Sequence, residues 1–264
     1  MRSTRLSISA ASAVIICITL VTLRAQQSPA LEQELRRIFQ TNDYAAQSFG
    51  PAVWFDDGAY GVVERADKTR VLVAYDASSG RREVLADAAR LTPKGASEPL
   101  IVDGYAWSPD RSRALVFTNT KRVWRQNTRG DYWLLDRRAR SLEKIGGGAP
   151  ESSLMFAKLS PDGSRVAYVR ERNVFVETLA SGAIQQLTRD GSETIVNGTS
   201  DWVNEEELGI RDGFRWSPDG RAIAFWQFDT SGVEIFSLAQ VTARPPSISI
   251  RSSTRSTHAW LVSR

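Results

Sequence analysis

A turn recurs along this chain at a near-constant spacing, and that recurrence limits the available folds more than any other feature. Ser108-Pro109-Asp110, Ser160-Pro161-Asp162-Gly163 and Ser217-Pro218-Asp219-Gly220 place their serines 52 and 57 residues apart. Each follows an aromatic or apolar strand end and leads into a β-rich run: Ala114 to Phe117, Val166 to Tyr168, Ile223 to Phe225. Proline presets φ at the second turn position, aspartate closes the turn, and glycine takes the positive φ that other residues resist. A weaker copy, Trp54 to Tyr60 around Asp56-Asp57-Gly58, falls about one period upstream, and second turns such as Tyr75 to Gly80 and Val176 to Gly182 lie between copies. A period of about 40–60 residues holding about four strands marks the blades of a β-propeller. The expected fold class is all-β, with residues 50–238 forming about four blades. Blades this long belong to seven- or eight-bladed rings, so a partial ring with unpaired outer strand edges is expected.

The flanks differ from this middle. Residues 1–25 and 239–264 carry seven arginines and no acid; without them the chain has 27 basic against 30 acidic residues. The basic pI therefore belongs to the ends, and a nucleic-acid-binding domain is not supported. Leu6 to Leu23 is uncharged and follows Arg2 and Arg5, the pattern of an export signal cleaved near Ala25 or of an uncleaved anchor. Either predicts a periplasmic or extracellular chain that meets a membrane only through residues 6–23. Cys17, the one cysteine, lies inside that segment, and His258 is the one histidine. Disulfides, thiolate metal sites and clustered histidine sites are thereby excluded from the exported part, and no metal or cofactor is implied. Within residues 26–49, Ser28-Pro29 followed by Leu31, Leu35 and Ile38 predicts a short amphipathic helix, with Ser28 as N-cap and Pro29 in the first helical position. After Leu238 the β pattern stops. Residues 239–264 hold four Arg, six Ser and three Thr, and are expected to be unstructured, through a change of reading frame, a mispredicted gene end or a flexible tail.

One stretch departs from the repeat. Asn197 to Leu208 contains Asp201-Trp202-Val203-Asn204-Glu205-Glu206-Glu207, three adjacent carboxylates beside a tryptophan. Such a triplet is commonly a solvated helix end. Where two of the carboxylates converge, their mutual repulsion is relieved by an ammonium ligand. Convergence of neighbours requires a helical turn, because successive side chains on a strand diverge.

This stretch, continuing through Phe214 to Gly220 and Phe225-Trp226-Gln227-Phe228-Asp229, resembles the dipeptidyl peptidase IV family of serine peptidases, bacterial members above all, over most of residues 28–238. The resemblance implies an eight-bladed propeller capping an α/β-hydrolase domain, with homo-oligomers as in the family. It implies that Glu206 and Glu207 grip the free N-terminal amine of a peptide, with Glu205 flanking and Trp202 and Asp201 supporting. Arg125, in Val123-Trp124-Arg125-Gln126, matches the propeller arginine that contacts a substrate carbonyl. Asn204 stands where the family often has Tyr. No Gly-x-Ser-x-Gly elbow occurs in the chain, and a serine peptidase also needs a base and an orienting acid. No catalytic residue is assigned, and these 264 residues as written are expected not to cleave peptides. The leading expectation is the substrate-recognition propeller portion of such a peptidase. The alternative is a stand-alone periplasmic propeller that binds peptides or protein partners.

Overall fold

The computed structural model describes residues 28–41, 43–45, 52–66, 69–237, 249–251 and 257–263. The expected export segment lies outside them. No described helix is long and apolar enough to cross a membrane. The chain divides into two units, residues 1–49 and 50–264.

In the first unit, helix α1 (Pro29–Phe39) has Pro29 in its first turn, where the missing N–H costs nothing. Ser28 precedes it, but its hydroxyl makes no capping bond. Surface pairs Arg36–Glu32 and Arg37–Glu34 span one helical turn at 2.9 and 3.1 Å.

The second unit is a succession of antiparallel sheets. Strands β1 (Ala52–Trp54), β2 (Ala59–Ala66), β3 (Thr69–Asp76) and β4 (Arg82–Ala86) form a four-stranded meander. A second meander comprises β5 (Gly104–Trp107), β6 (Arg113–Val123), β7 (Gln126–Asp136) and β8 (Ser141–Lys144). A third comprises β9 (Leu154–Leu159), β10 (Arg165–Arg170), β11 (Asn173–Thr178) and β12 (Ala183–Gln186). The last two are joined where β7 pairs with β9, Arg129 opposite Met155 and Gly130 opposite Leu154.

In the following sheet, β13 (Ile195–Asn197) and β14 (Phe214–Trp216) lie in line along one edge of β15 (Ala222–Asp229). The residues between them leave the sheet and carry helix α2 (Trp202–Leu208). Beyond residue 238 the expectation of an unstructured tail is not met throughout. Strand β16 (Ile235–Ser237) pairs with β17 (Ser249–Arg251), and β18 (Thr257–Ser263) pairs with β15 over seven residues. Composition suggested disorder, but Trp260, Leu261 and Val262 have the β propensity that fits the edge of β15.

Alternation at period two explains why the sheets stack. On β6, Ala114 and Val116 face the first meander with Leu72, Leu85 and Leu135, while Leu115 faces the third with Tyr132, Leu154 and Tyr168. On β10, Val166 and Tyr168 join that second core, whereas Ala167 and Val169 pack with Val174, Phe214, Ile223 and Phe225. Each inner strand is therefore buried on both faces, and the cores are sheet-on-sheet layers.

The three Ser-Pro-Asp turns share one bonding scheme. The serine hydroxyl donates to the aspartate Oδ1 at 2.5–2.7 Å and accepts the N–H five residues on at 2.9–3.0 Å. A link between sheets repeats in phase with them. Arg113 Nη1 donates to the carbonyl of Gly163 in the next turn at 2.6 Å, and Arg165 donates likewise to Gly220. At the position held by Gly163 and Gly220, the first turn has Arg111, left-handed at φ 54°. Its guanidinium pairs with Asp57 of the upstream turn and lies 4.8 Å from the Phe55 ring.

Hydrogen bonds from Ser160 and Ser164 pull Asp162 down to about 2, and Ser108 and Ser112 do the same to Asp110. A folded value below the unfolded one stabilises the protein above about pH 4, and that contribution disappears as pH falls towards 2. The gap in urea midpoint between the native chain and Asp162→Asn is expected to shrink steadily from pH 5 to pH 2.5. A gap independent of pH would contradict the turn chemistry.

Candidate amine-recognition site

Two structures that project from the sheets build the site. The first is the hairpin of β6 and β7, eleven residues in each strand, with Val123 opposite Gln126 and Trp124-Arg125 as its two-residue tip. Trp124 is left-handed at φ 51°, an uncommon conformation for a bulky residue, and Arg122 Nε donates to its carbonyl at 2.8 Å. At the base of the hairpin, buried Asp131 gathers three donors. Ser152 N donates at 2.8 Å, Asn119 Nδ2 donates at 2.9 Å, and Lys144 Nζ lies 3.2 Å away. Gly130 beside it has no room for a side chain: a Cβ there would lie 2.7 Å from the Thr118 carbonyl oxygen.

The second is the insertion between β13 and β14. Its neck is formed by Gly198 and Gly213, which approach so closely that a Cβ on Gly213 would lie 2.9 Å from the Gly198 carbonyl carbon. The Gly213 N–H bonds the Gly198 carbonyl at 3.1 Å. Above the neck, Thr199 Oγ1 donates to the Arg211 carbonyl at 2.9 Å, and Ser200 Oγ donates to that of Ile210. Asp201 then caps α2: its Oδ1 accepts from Asn204 N at 2.9 Å and Asn204 Nδ2 at 2.8 Å. Asn204 thus completes the cap. Gly209, left-handed at φ 65°, ends the helix.

The helix brings some of the expected residues to the arginine and leaves another outside. Glu206 has a side chain only 11% exposed and forms an ion pair with Arg125, which reaches it from a side chain 70% exposed. Glu205 is 8% exposed, and its carboxyl lies near the Arg125 main-chain N–H. Burial pushes the Glu205 carboxyl above its ordinary value; Arg211 and that N–H oppose the shift, and Glu206 reinforces it. Glu207 is exposed, and Trp202 is half-buried. Glu206 thus meets Arg125, with Glu205 on its buried side and Glu207 on its exposed side. A helical step of about 100° per residue allows two consecutive side chains of the three to share the inner side, not all three.

Each of these acids keeps one oxygen without a donor from the protein. Glu206 Oε1 contacts Arg125 Nε without hydrogen-bond alignment. With Glu205 Oε1 and Asp201 Oδ2, it is a buried oxygen that accepts no hydrogen bond. Buried acceptors need donors, and the Glu206 carboxylate beside Arg125 suits a ligand that is cationic and rich in donors.

A lysine that sequence reasoning did not single out braces the insertion. Lys158, on β9, ion-pairs with Asp212 just below the neck. Its Nζ lies 3.6 Å from the centre of the Phe214 ring and 3.1 Å from the Phe156 carbonyl. Burial pulls its pKa down to about 8 despite Asp212. Below pH 8 the fold bears the cost of a buried ammonium, and between 8 and 10.5 the unfolded chain alone holds that proton, so stability rises with pH. Urea midpoints should climb from pH 8 to pH 10 relative to those of Lys158→Met; parallel profiles would contradict this.

The comparisons with known proteins agree with this architecture. The family model for the dipeptidyl peptidase IV (DPP IV) N-terminal region matches residues 108–254, more than half of the chain and well past Leu238, where the sequence resemblance was expected to end. The chain belongs to this family. A protein of Aspergillus clavatus named "Probable dipeptidyl-aminopeptidase B" is 33% identical over 148 residues, covering 55% of this chain and 16% of the relative. Its namesake in Aspergillus oryzae is 29% identical over 183 residues, covering 69% and 20%. The chain thus spans a fifth or less of these relatives' length. Among solved structures, dipeptidyl peptidase 4 of Porphyromonas gingivalis superposes with a TM-score of 0.69 at 25% identity, over 80% of this chain and 30% of that one.

Proposed function

We propose that this chain recognises the free N-terminus of a peptide, as the propeller portion of an exported dipeptidyl peptidase IV-like serine peptidase. The stacked sheets are read as about four blades of an eight-bladed ring, and residues 6–23 as the segment that exports or anchors the chain. The observation that carries the reading is the contact of Arg125 with Glu206, made between two projections 81 positions apart in sequence. A generic interaction propeller has no need of a hairpin and a helical insertion that meet as arginine on acid. In this reading Glu206 and Glu207 take the ammonium, Glu205 flanks them from the buried side, and Arg125 takes the first peptide carbonyl. Two anchors at fixed separation measure position from the N-terminus, as release of dipeptides requires. The supporting test is a calorimetric titration of the full chain with tri-alanine amide and with its N-acetyl form. The free amine is expected to bind about 100-fold more tightly, the scale of a charge pair at a largely buried acid. Equal affinity would refute amine recognition.

A further inference from the structure

We infer that the shaft of the β6–β7 hairpin is a second binding surface, in which Lys121 and Arg129 read acidic side chains at about the fourth to sixth residues of a bound peptide. The inference rests on the amine reading above only for the point from which those residues are counted. Between Thr118 and Gly130 the hairpin holds four cations, Lys121, Arg122, Arg125 and Arg129, and no acid. Arg125 meets Glu206, and Arg122 donates to the Trp124 carbonyl. Lys121 and Arg129 are exposed, and among the described residues their side chains have no hydrogen-bond or ion-pair partner. They stand directly opposite each other in the ladder, where like charges repel and weaken a hairpin. The register slips on either side of Lys121, and bulges of this kind re-aim side chains beside binding sites. The acids at the foot of the hairpin are already engaged. Asp103 accepts from Thr120 at 3.2 Å, and buried Asp131 accepts from Ser152 and Asn119. An anionic partner would turn the repulsion between the two free cations into attraction.

Reach and chemistry select that partner. Lys121 and Arg129 each lie four positions from Arg125, which is about 13 Å from the tip along an extended strand. A peptide whose amine sits at Glu206 covers that distance in about four extended residues. Carboxylates from about the fourth residue onward therefore come level with both cations, and those of the first two do not. A guanidinium beside an ammonium suits two neighbouring carboxylates, one held by a fork and one by a point charge. Both cations are solvated, so their contribution is modest and salt weakens it. The Glu206 contact differs, because its acid is only 11% exposed.

The test is a calorimetric titration of the full chain with Ala-Ala-Ala-Glu-Glu-Glu amide, with Ala-Ala-Ala-Ser-Ser-Ser amide and with the N-acetyl form of the serine peptide. At low salt the glutamate peptide is expected to bind about tenfold more tightly than the serine peptide, and at about 0.5 M salt that gap should close. Lys121→Glu sets opposite charges across the ladder, so this variant should melt no lower than the native chain. It should also lose the preference for glutamate and bind the serine peptide unchanged. Lys121→Ala combined with Arg129→Ala should lose the preference without creating a new pair. If the native chain shows no preference for glutamate, or if the preference survives in either variant, the surface is refuted; amine recognition stands where the serine peptide still outbinds its N-acetyl form. Equal binding of those two refutes amine recognition, and with it the count from the N-terminus.

Discussion

Glu206→Gln should cost the chain about 100-fold in affinity for tri-alanine amide and leave its melting temperature within a few degrees of the native value. The side chain is 11% exposed, so the ammonium it receives is largely desolvated. Removing one partner of such a pair costs about 2–5 kcal/mol, of which about 2.7 kcal/mol corresponds to 100-fold. Stability responds differently for two reasons. The Arg125 partner is mostly exposed, and ion pairs of that kind contribute about 0–1 kcal/mol. The lost negative charge also stood beside Glu205, whose raised pKa it helps to cause. Glu207→Gln should cost less, about tenfold, because the residue is exposed and water screens its charge. A stronger effect at Glu207 than at Glu206 would show that the helix presents its outer acid to the ligand.

Phe214→Ala should destabilise the chain by about 3–5 kcal/mol, the range for truncating a buried aromatic. Phe214 is 2% exposed and packs with Ala167, Val169, Val174, Ile223 and Phe225 between the third meander and the β15 sheet. It also follows the Gly213 neck directly and carries the Lys158 ammonium on its face. The ring therefore supports the sheet stack and the foot of the insertion together. Against a domain stability of about 5–15 kcal/mol, this loss should be plain in a urea melt, and amine recognition should fall with it. A loss below about 1 kcal/mol would mean that the site collapses around the gap, contrary to the close packing found there.

Much of this architecture is written locally. The Ser-Pro-Asp turns are legible because each closes on its own residues, and the strands after them because alternation at period two places Leu115 on one face and Ala114 and Val116 on the other. The insertion is legible as a break in that period, and its helix as the condition under which neighbouring glutamates converge. Contacts across sheets are not written this way. The pairing of β7 with β9 sets Arg129 opposite Met155 and Gly130 opposite Leu154, residues of separate meanders. The Arg113 and Arg165 links to the next turn and the Lys158 brace share that non-local origin. Which glutamates of the triplet are buried depends on how the helix sits above the Gly198–Gly213 neck. Strand β18 is not legible because serine and arginine dominate residues 239–264 and mask the apolar run Trp260-Leu261-Val262.

The most direct measurement is a crystal structure of the full chain with tri-alanine amide bound. The account predicts the peptide nitrogen within hydrogen-bond distance of Glu206, with Glu207 beside it, and the Arg125 guanidinium turned away from Glu206 onto the first carbonyl oxygen. A peptide seated elsewhere, or an amine pointing to solvent while Arg125 stays on Glu206, would contradict it.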